Sequence, residues 1–159
     1  MRARLCTNLT SVRYFLALLA VAAWAGVAEA QGPGIRGGVS VDPDQFYFGG
    51  HYETGALVDR LHFKPNIEAG LGDDLTTIAL NFEFVYKFPT RGSWQLYAGG
   101  GPAVNFYSFD NGGNDNDSET EPGVNFLIGV EQNSGLFFEF KIGVVDSPEL
   151  KFGVGWSFR

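Results

Sequence analysis

From residue 34 to the end of the chain, apolar and polar residues alternate with a period of two, and no helical period competes. Between Leu75 and Phe88, residues Ile78, Leu80, Phe82, Phe84, Tyr86 and Phe88 fall on one face, with Asn81, Glu83 and Lys87 on the other. Side chains of a strand point alternately to its two faces, so this pattern predicts two-faced strands. Residues 150–158 repeat it, setting Leu150, Phe152, Val154, Trp156 and Phe158 against Lys151, Gly153, Gly155 and Ser157. Further matches lie at 136–145, 123–132, 94–109 and 61–71, and two shorter, glycine-broken ones at 34–42 and 45–53. Clusters of Gly, Pro, Asp and Asn separate the segments, which gives eight strands.

The first thirty residues follow another logic. Arg2, Arg4 and Arg13 precede the apolar run Tyr14–Val27, and Ala28-Glu29-Ala30 follows it. A basic segment, a short apolar segment and a small-x-small site are the parts of a secretory signal, with cleavage expected after Ala30. The run is shorter than the roughly 20 residues of a membrane span. Removing residues 1–30 takes Cys6 away and leaves no cysteine, hence no disulfide or thiol chemistry. It also leaves eight basic and seventeen acidic residues in 31–159, a net charge of −9 against −7 for the 159-residue chain. So acidic a chain does not suit nucleic acid, whose phosphates require basic patches.

Eight alternating strands can close in two ways. A soluble lipocalin-like barrel turns its apolar face inward onto a ligand, whereas a membrane barrel turns it outward onto lipid. Volume separates them, because an eight-stranded barrel is just wide enough to fill with side chains or hold one small ligand. The apolar face carries most of the 15 phenylalanines, too much bulk for that lumen. The opposite face offers glycines and five cations, Arg36, Lys64, Lys87, Lys141 and Lys151, against five carboxylates, Glu53, Glu68, Glu83, Glu131 and Glu139. Such a set suits a narrow lumen closed by ion pairs. The expected fold is an all-β, eight-stranded antiparallel up-and-down transmembrane β-barrel over residues 31–159, without a porin-sized channel.

The search for chemistry yields little. His51 and His62 are the only histidines, and His51 with Glu53 and Ser40 could be drawn as a nucleophile, base and acid on neighbouring strands. No nucleophile-elbow sequence accompanies them. The connection 110–122 is strongly acidic, with Asp110, Asp115, Asp117, Glu119 and Glu121. Its alternating carboxylates are a pattern Ca²⁺ accepts, but the glycine and distal glutamate of an EF-hand loop are missing, so a solvated loop is expected. Gly99-Gly100-Gly101 has no following lysine or helix and is not a phosphate loop. Trp94, Trp156, Tyr86, Phe88 and Phe158 gather near strand ends on one side, as in an interfacial aromatic girdle. No cofactor or metal is expected.

A signal segment, eight amphipathic strands, no later cysteine and a final strand reading Phe152-Gly-Val-Gly-Trp-Ser-Phe158 together resemble the small OmpA/OmpX-type outer-membrane β-barrels. The segment Tyr97-Ala-Gly-Gly-Gly-Pro-Ala-Val-Asn-Phe106 is similar to a strand recurring there. The resemblance implies that both termini are periplasmic, that loop 110–122 is extracellular and open to a surface partner, and that Phe152, Val154, Trp156 and Phe158 are read by the outer-membrane assembly machinery. The family usually ends on the aromatic itself, whereas Arg159 follows here, and Pro65 and Pro102 are read as bulges or strand ends. The expected role is that of a non-enzymatic bacterial outer-membrane protein in contact with lipid, structural or surface-interacting through its external loops. A soluble lipocalin-like ligand binder and a barrel enzyme acting on outer-membrane lipid stand as alternatives.

Overall fold

The computed structural model describes residues 32–73, 75–109, 117–145 and 147–158. The signal segment, Asp110, Asp115 and Arg159 lie outside the described residues. The strands are β1 (Pro33–Val41), β2 (Gln45–Tyr52), β3 (Ala56–Val58), β4 (Leu61–Leu71), β5 (Leu75–Lys87), β6 (Trp94–Phe109), β7 (Asp117–Gln132), β8 (Leu136–Val144) and β9 (Leu150–Ser157). Antiparallel pairing runs β1–β2–β4–β5–β6–β7–β8–β9, and β9 returns to β1, so the sheet closes as an eight-stranded barrel. Closure leaves no open edge along the ring. We call the end holding residues 32 and 158 the terminal rim and the opposite end the distal rim.

The ninth strand is a continuation, not an addition to the ring. After Tyr52 the chain is interrupted at 53–55, then resumes alongside β4 as β3, with Ala56 opposite His62 and Val58 opposite Leu61. Asp59, at φ 52°, and Arg60 make the turn. The connection 54–60 is therefore a short hairpin standing off the terminal rim.

Two expectations are corrected. The acidic segment 110–122 is not loop throughout, because β7 begins at Asp117 and pairs with β6 without a break from Phe109↔Asp117 to Trp94↔Gln132. Glu119 and Glu121 thus lie in a strand, opposite Tyr107 and Asn105. Nor do the prolines mark bulges, since register is unshifted through Pro65, Pro102 and Pro122. Each loses little because of where its missing N–H would point. Thr54 N donates to the Phe63 carbonyl at 2.9 Å, so odd residues of β4 face β2; the β2 ladder ends at His51↔Asn66, just short of Pro65. Phe88 N donates to Leu96 O at 2.9 Å, so even residues of β6 face β5, and the β5–β6 ladder is interrupted opposite Pro102. By the same alternation Pro122 faces β8, beyond the last pair, Val124↔Val144.

The faces sort as the alternation requires. Phe46, Phe48, Phe82, Phe84, Phe126, Ile128, Phe138, Ile142, Phe152 and Val154 are exposed on the outside. The buried residues are mostly polar or charged. This barrel is inverted relative to a water-soluble one.

Candidate functional site: the charged lumen

Inward positions of six strands and the residue after β2 deliver the ten charged side chains to one axis. Arg36, Glu53, Lys64, Glu68, Glu83, Lys87, Glu131, Glu139, Lys141 and Lys151 are all buried, none more than 6% exposed. Register accounts for part of this, placing Lys64 opposite Glu83. It also places Lys141 opposite Lys151, a pairing that is repulsive by itself. Glu68 resolves it from across the lumen: Lys141 Nζ donates to Oε1 and Lys151 Nζ to Oε2, both at 2.9 Å. Arg36 Nη1 also donates to Glu68 Oε1 and to Glu139 Oε1, each at 3.1 Å. Lys141 Nζ lies 2.6 Å from Glu83 Oε1. Lys64 Nζ is 3.8 Å from Glu139 Oε2, which accepts the Tyr97 hydroxyl at 2.8 Å.

A second cluster sits nearer the terminal rim. Lys87 Nζ donates to Glu53 and, at 2.9 Å, to Glu131 Oε2. His62 Nδ1 lies 3.5 Å from Glu53 Oε1 and 3.1 Å from the Thr54 carbonyl. The central cluster sets Arg36, Lys64, Lys141 and Lys151 against three carboxylates, while the rim cluster sets Lys87 against two. Neither balances alone; together they do. An amide chain runs across the central lumen, with Asn125 donating to Asn81 and Asn81 to Asn66, both at 2.7 Å, and Asn66 to Glu83 at 2.8 Å. Buried ions are tolerated when paired and hydrogen-bonded. Each of the ten has an opposite charge within 4 Å, although Arg36 Nε and Nη2 find no hydrogen-bond partner among the described residues.

Parity alone does not reveal what fills the rest. Tyr47, Tyr97 and Phe137 are buried in the lumen with Val85 and Leu127. Each ring lies against a glycine on a neighbouring or next-but-one strand. Tyr97 stands opposite Gly129 and Phe137 opposite Gly155. The Tyr47 hydroxyl reaches Gly153 across β1. A side chain at any of these three glycines would run into the ring. The rings also cover cations, with Lys64 Nζ 4.3 Å from the Phe137 centroid and Lys151 Nζ 5.3 Å from that of Tyr47. The readable signal was Phe137 in Leu136-Phe137-Phe138, which shares its parity with Glu139 and Lys141.

The imagined Ser40–His51–Glu53 set is not assembled. Ser40 pairs with Gln45 near the distal rim and its hydroxyl donates to the Pro43 carbonyl at 2.8 Å. His51 lies six residues further along β2, which is about 20 Å of strand. Its Nε2 is instead 3.0 Å from Ser157 Oγ, reaching over Gly34, and its ring meets Phe137 edge-on at 5.2 Å. Glu53 is engaged by Lys87 and His62. Among the described residues no three His, Cys, Asp or Glu side chains are grouped to hold a metal ion.

Phe152, Val154, Trp156 and Phe158 are exposed on the outer face of β9 and just beyond it. Trp94, Tyr86 and Phe88 join Trp156 and Phe158 at the terminal rim, with the Tyr86 and Phe88 rings 5.3 Å apart. Glu119 is exposed and Glu121 half-buried near the distal rim.

No protein-family model matches the chain, and no curated protein sequence matches it. Among solved structures, the crystal structure of Neisserial surface protein A matches with a TM-score of 0.56 at 16% identity, covering 80% of this chain and 96% of that chain. The likeness is one of fold. Two chains this different in sequence share the closed eight-stranded antiparallel barrel.

Proposed function

We propose that the protein is an outer-membrane β-barrel of the OmpA/OmpX type, exported by its first thirty residues. In this reading it is non-enzymatic and acts structurally or through its distal connections at the cell surface. One observation carries the proposal: ten charges are buried while the outer face of the strands is apolar. On β5 that face runs from Ile78 to Phe88, about 33 Å of strand, which at a tilt of about 40° is about 25 Å of height, the apolar band of such barrels. In water a coat of this kind would aggregate. A lipocalin-like carrier needs the reverse arrangement, with the aromatics inside.

Phe152, Val154, Trp156 and Phe158 serve in this proposal as the signal for the assembly machinery, and segment 110–122 as the contact with an extracellular partner. Cell fractionation with a gel of unheated and boiled samples tests the reading. Recovery in the outer-membrane fraction, with a mobility shift on boiling, is expected. Recovery in the soluble fraction without detergent overturns it.

A further inference from the structure

The charges outside the lumen are divided between the rims. Of the seventeen acidic residues from 31 onward, five line the lumen, one, Asp59, stands at the terminal rim, seven lie on the distal side, and four are outside the described residues. Of the eight basic residues, five line the lumen, Arg60 and Arg91 stand at the terminal rim, and Arg159 lies outside the described residues. Among the described residues the distal side has no base.

Arg60 and Arg91 are exposed, and their guanidinium groups make no ion pair among the described residues. They occupy neighbouring turns. The Arg60 carbonyl accepts from Lys87 N at 3.0 Å, one residue before Phe88, and Arg91 lies in the turn between Phe88 and Trp94. Around them are exposed apolar groups: Leu57 and Val58 on the β3 hairpin, then Tyr86, Phe88 and Trp94. The turn joining β7 and β8 at this rim, Asn133-Ser134-Gly135, carries no charge. Guanidinium groups above an aromatic belt at the edge of an apolar coat present a phosphate-binding height and an acyl-binding height in the right order.

We infer that this sector of the terminal rim, Arg60 and Arg91 with Tyr86, Phe88 and Trp94, is a binding site for anionic phospholipid of the inner leaflet. The inference rests on the membrane reading. It commits to lipid and not to a soluble phosphate compound, because the arginines are exposed at the edge of the apolar coat. Among the described residues Asp59 is the exposed carboxylate beside the site, adjoining Arg60, and it opposes binding.

Two tryptophans remain in 31–159 besides the one in the signal segment: Trp94 within this sector, and Trp156 on β9 between Ile35 and Leu136, away from Arg60 and Arg91. Protein lacking residues 1–30 is refolded into phosphatidylcholine vesicles containing phosphatidylglycerol, with one lipid or the other brominated to quench tryptophan. In Trp156→Phe, brominated phosphatidylglycerol should quench Trp94 several-fold more than an equal fraction of brominated phosphatidylcholine. In Trp94→Phe, Trp156 should not distinguish the lipids. Arg60→Gln with Arg91→Gln should abolish the preference, each arginine contributing about fivefold, and salt should weaken it. Asp59→Asn should raise it. Equal quenching of Trp94 by both lipids, or a preference that survives loss of both arginines, overturns the inference. Absence of quenching by either lipid overturns the membrane reading itself.

Discussion

Lys141 and Ile142 are neighbours in β8, and they live under different rules. Lys141 is buried, held by Glu68 at 2.9 Å and Glu83 at 2.6 Å, and it could be exchanged for no neutral side chain without leaving a buried carboxylate uncompensated. Ile142 is 45% exposed on the coat, where the requirement is to be apolar and of any shape. Specificity in a soluble domain comes from a jigsaw of apolar side chains. Here it has moved into an ionic lumen, and the apolar residues provide only compatibility with their surroundings. The comparison can be attacked from both faces of the wall.

The largest effect belongs to the lumen. Glu68 serves Arg36, Lys141 and Lys151 together, so Glu68→Gln leaves Arg36 and Lys141 to Glu83 and Glu139 and takes from Lys151 the carboxylate it pairs with. A loss of about 3–5 kcal/mol is expected, the cost of stranding a buried charge. Urea unfolding of refolded protein in detergent measures it. Glu83→Gln and Glu139→Gln should also destabilise, Glu83→Gln less, because Asn66 still bonds there. An unchanged midpoint for all three would mean that the network is decoration.

The next effect comes from the coat. Ile128→Arg places a charge on the outer face near the middle of the apolar stretch of β7, Val124–Val130, at a cost of about 2–4 kcal/mol in a bilayer. Measured in vesicles and again in a detergent micelle, the penalty should shrink in the more deformable micelle. A penalty identical in both would argue that the coat packs against protein and not lipid.

The ring–glycine contacts come third, at about 1–3 kcal/mol for an overpacked site. They also discriminate among themselves. A Cβ at Gly153 meets the Tyr47 hydroxyl, with the nearest backbone atom, Gly37 O, at 3.8 Å. Tyr47→Phe should therefore rescue Gly153→Ala. A Cβ at Gly129 meets the Tyr97 ring and also the Phe138 carbonyl at 2.7 Å, so Tyr97→Phe should not rescue Gly129→Ala. A double-mutant cycle on each pair reads the difference.

What the sequence made legible follows the same division. Parity along one strand says which face a residue takes, and that sufficed for Glu83, Glu139, Lys141 and the outward Phe126 or Phe152. It says nothing about which strand lies opposite, so the match of Tyr97 to Gly129 and the distance separating Ser40 from His51 emerged only with the register. The distal part of β7 escaped for another reason. Asp117-Ser-Glu-Thr-Glu121 has no apolar face to alternate, and it is a strand only because β6 supplies a backbone ladder. Strand signals built on apolar alternation fall silent where neither face is buried.

The smallest effect sharpens the comparison most, because it applies one substitution to both faces. Phe126 is 56% exposed on the coat, and Phe137 is 1% exposed in the lumen. Phe126→Leu removes a ring that lipid tails can replace, and the unfolding midpoint should move by no more than about 0.5 kcal/mol. Phe137→Leu removes a ring lying 4.3 Å from Lys64 Nζ and 5.5 Å from the Arg36 guanidinium, and it takes away the edge contact with His51. Desolvated cation–π contacts are worth about 2 kcal/mol, so Phe137→Leu should cost that much and Phe137→Tyr much less if its hydroxyl finds a partner. Equal costs for Phe126→Leu and Phe137→Leu would erase the distinction between the two faces. A larger cost at Phe126 would reverse it, and would mean that the coat around Gly100, whose neighbour is the Phe126 ring, is itself specifically packed.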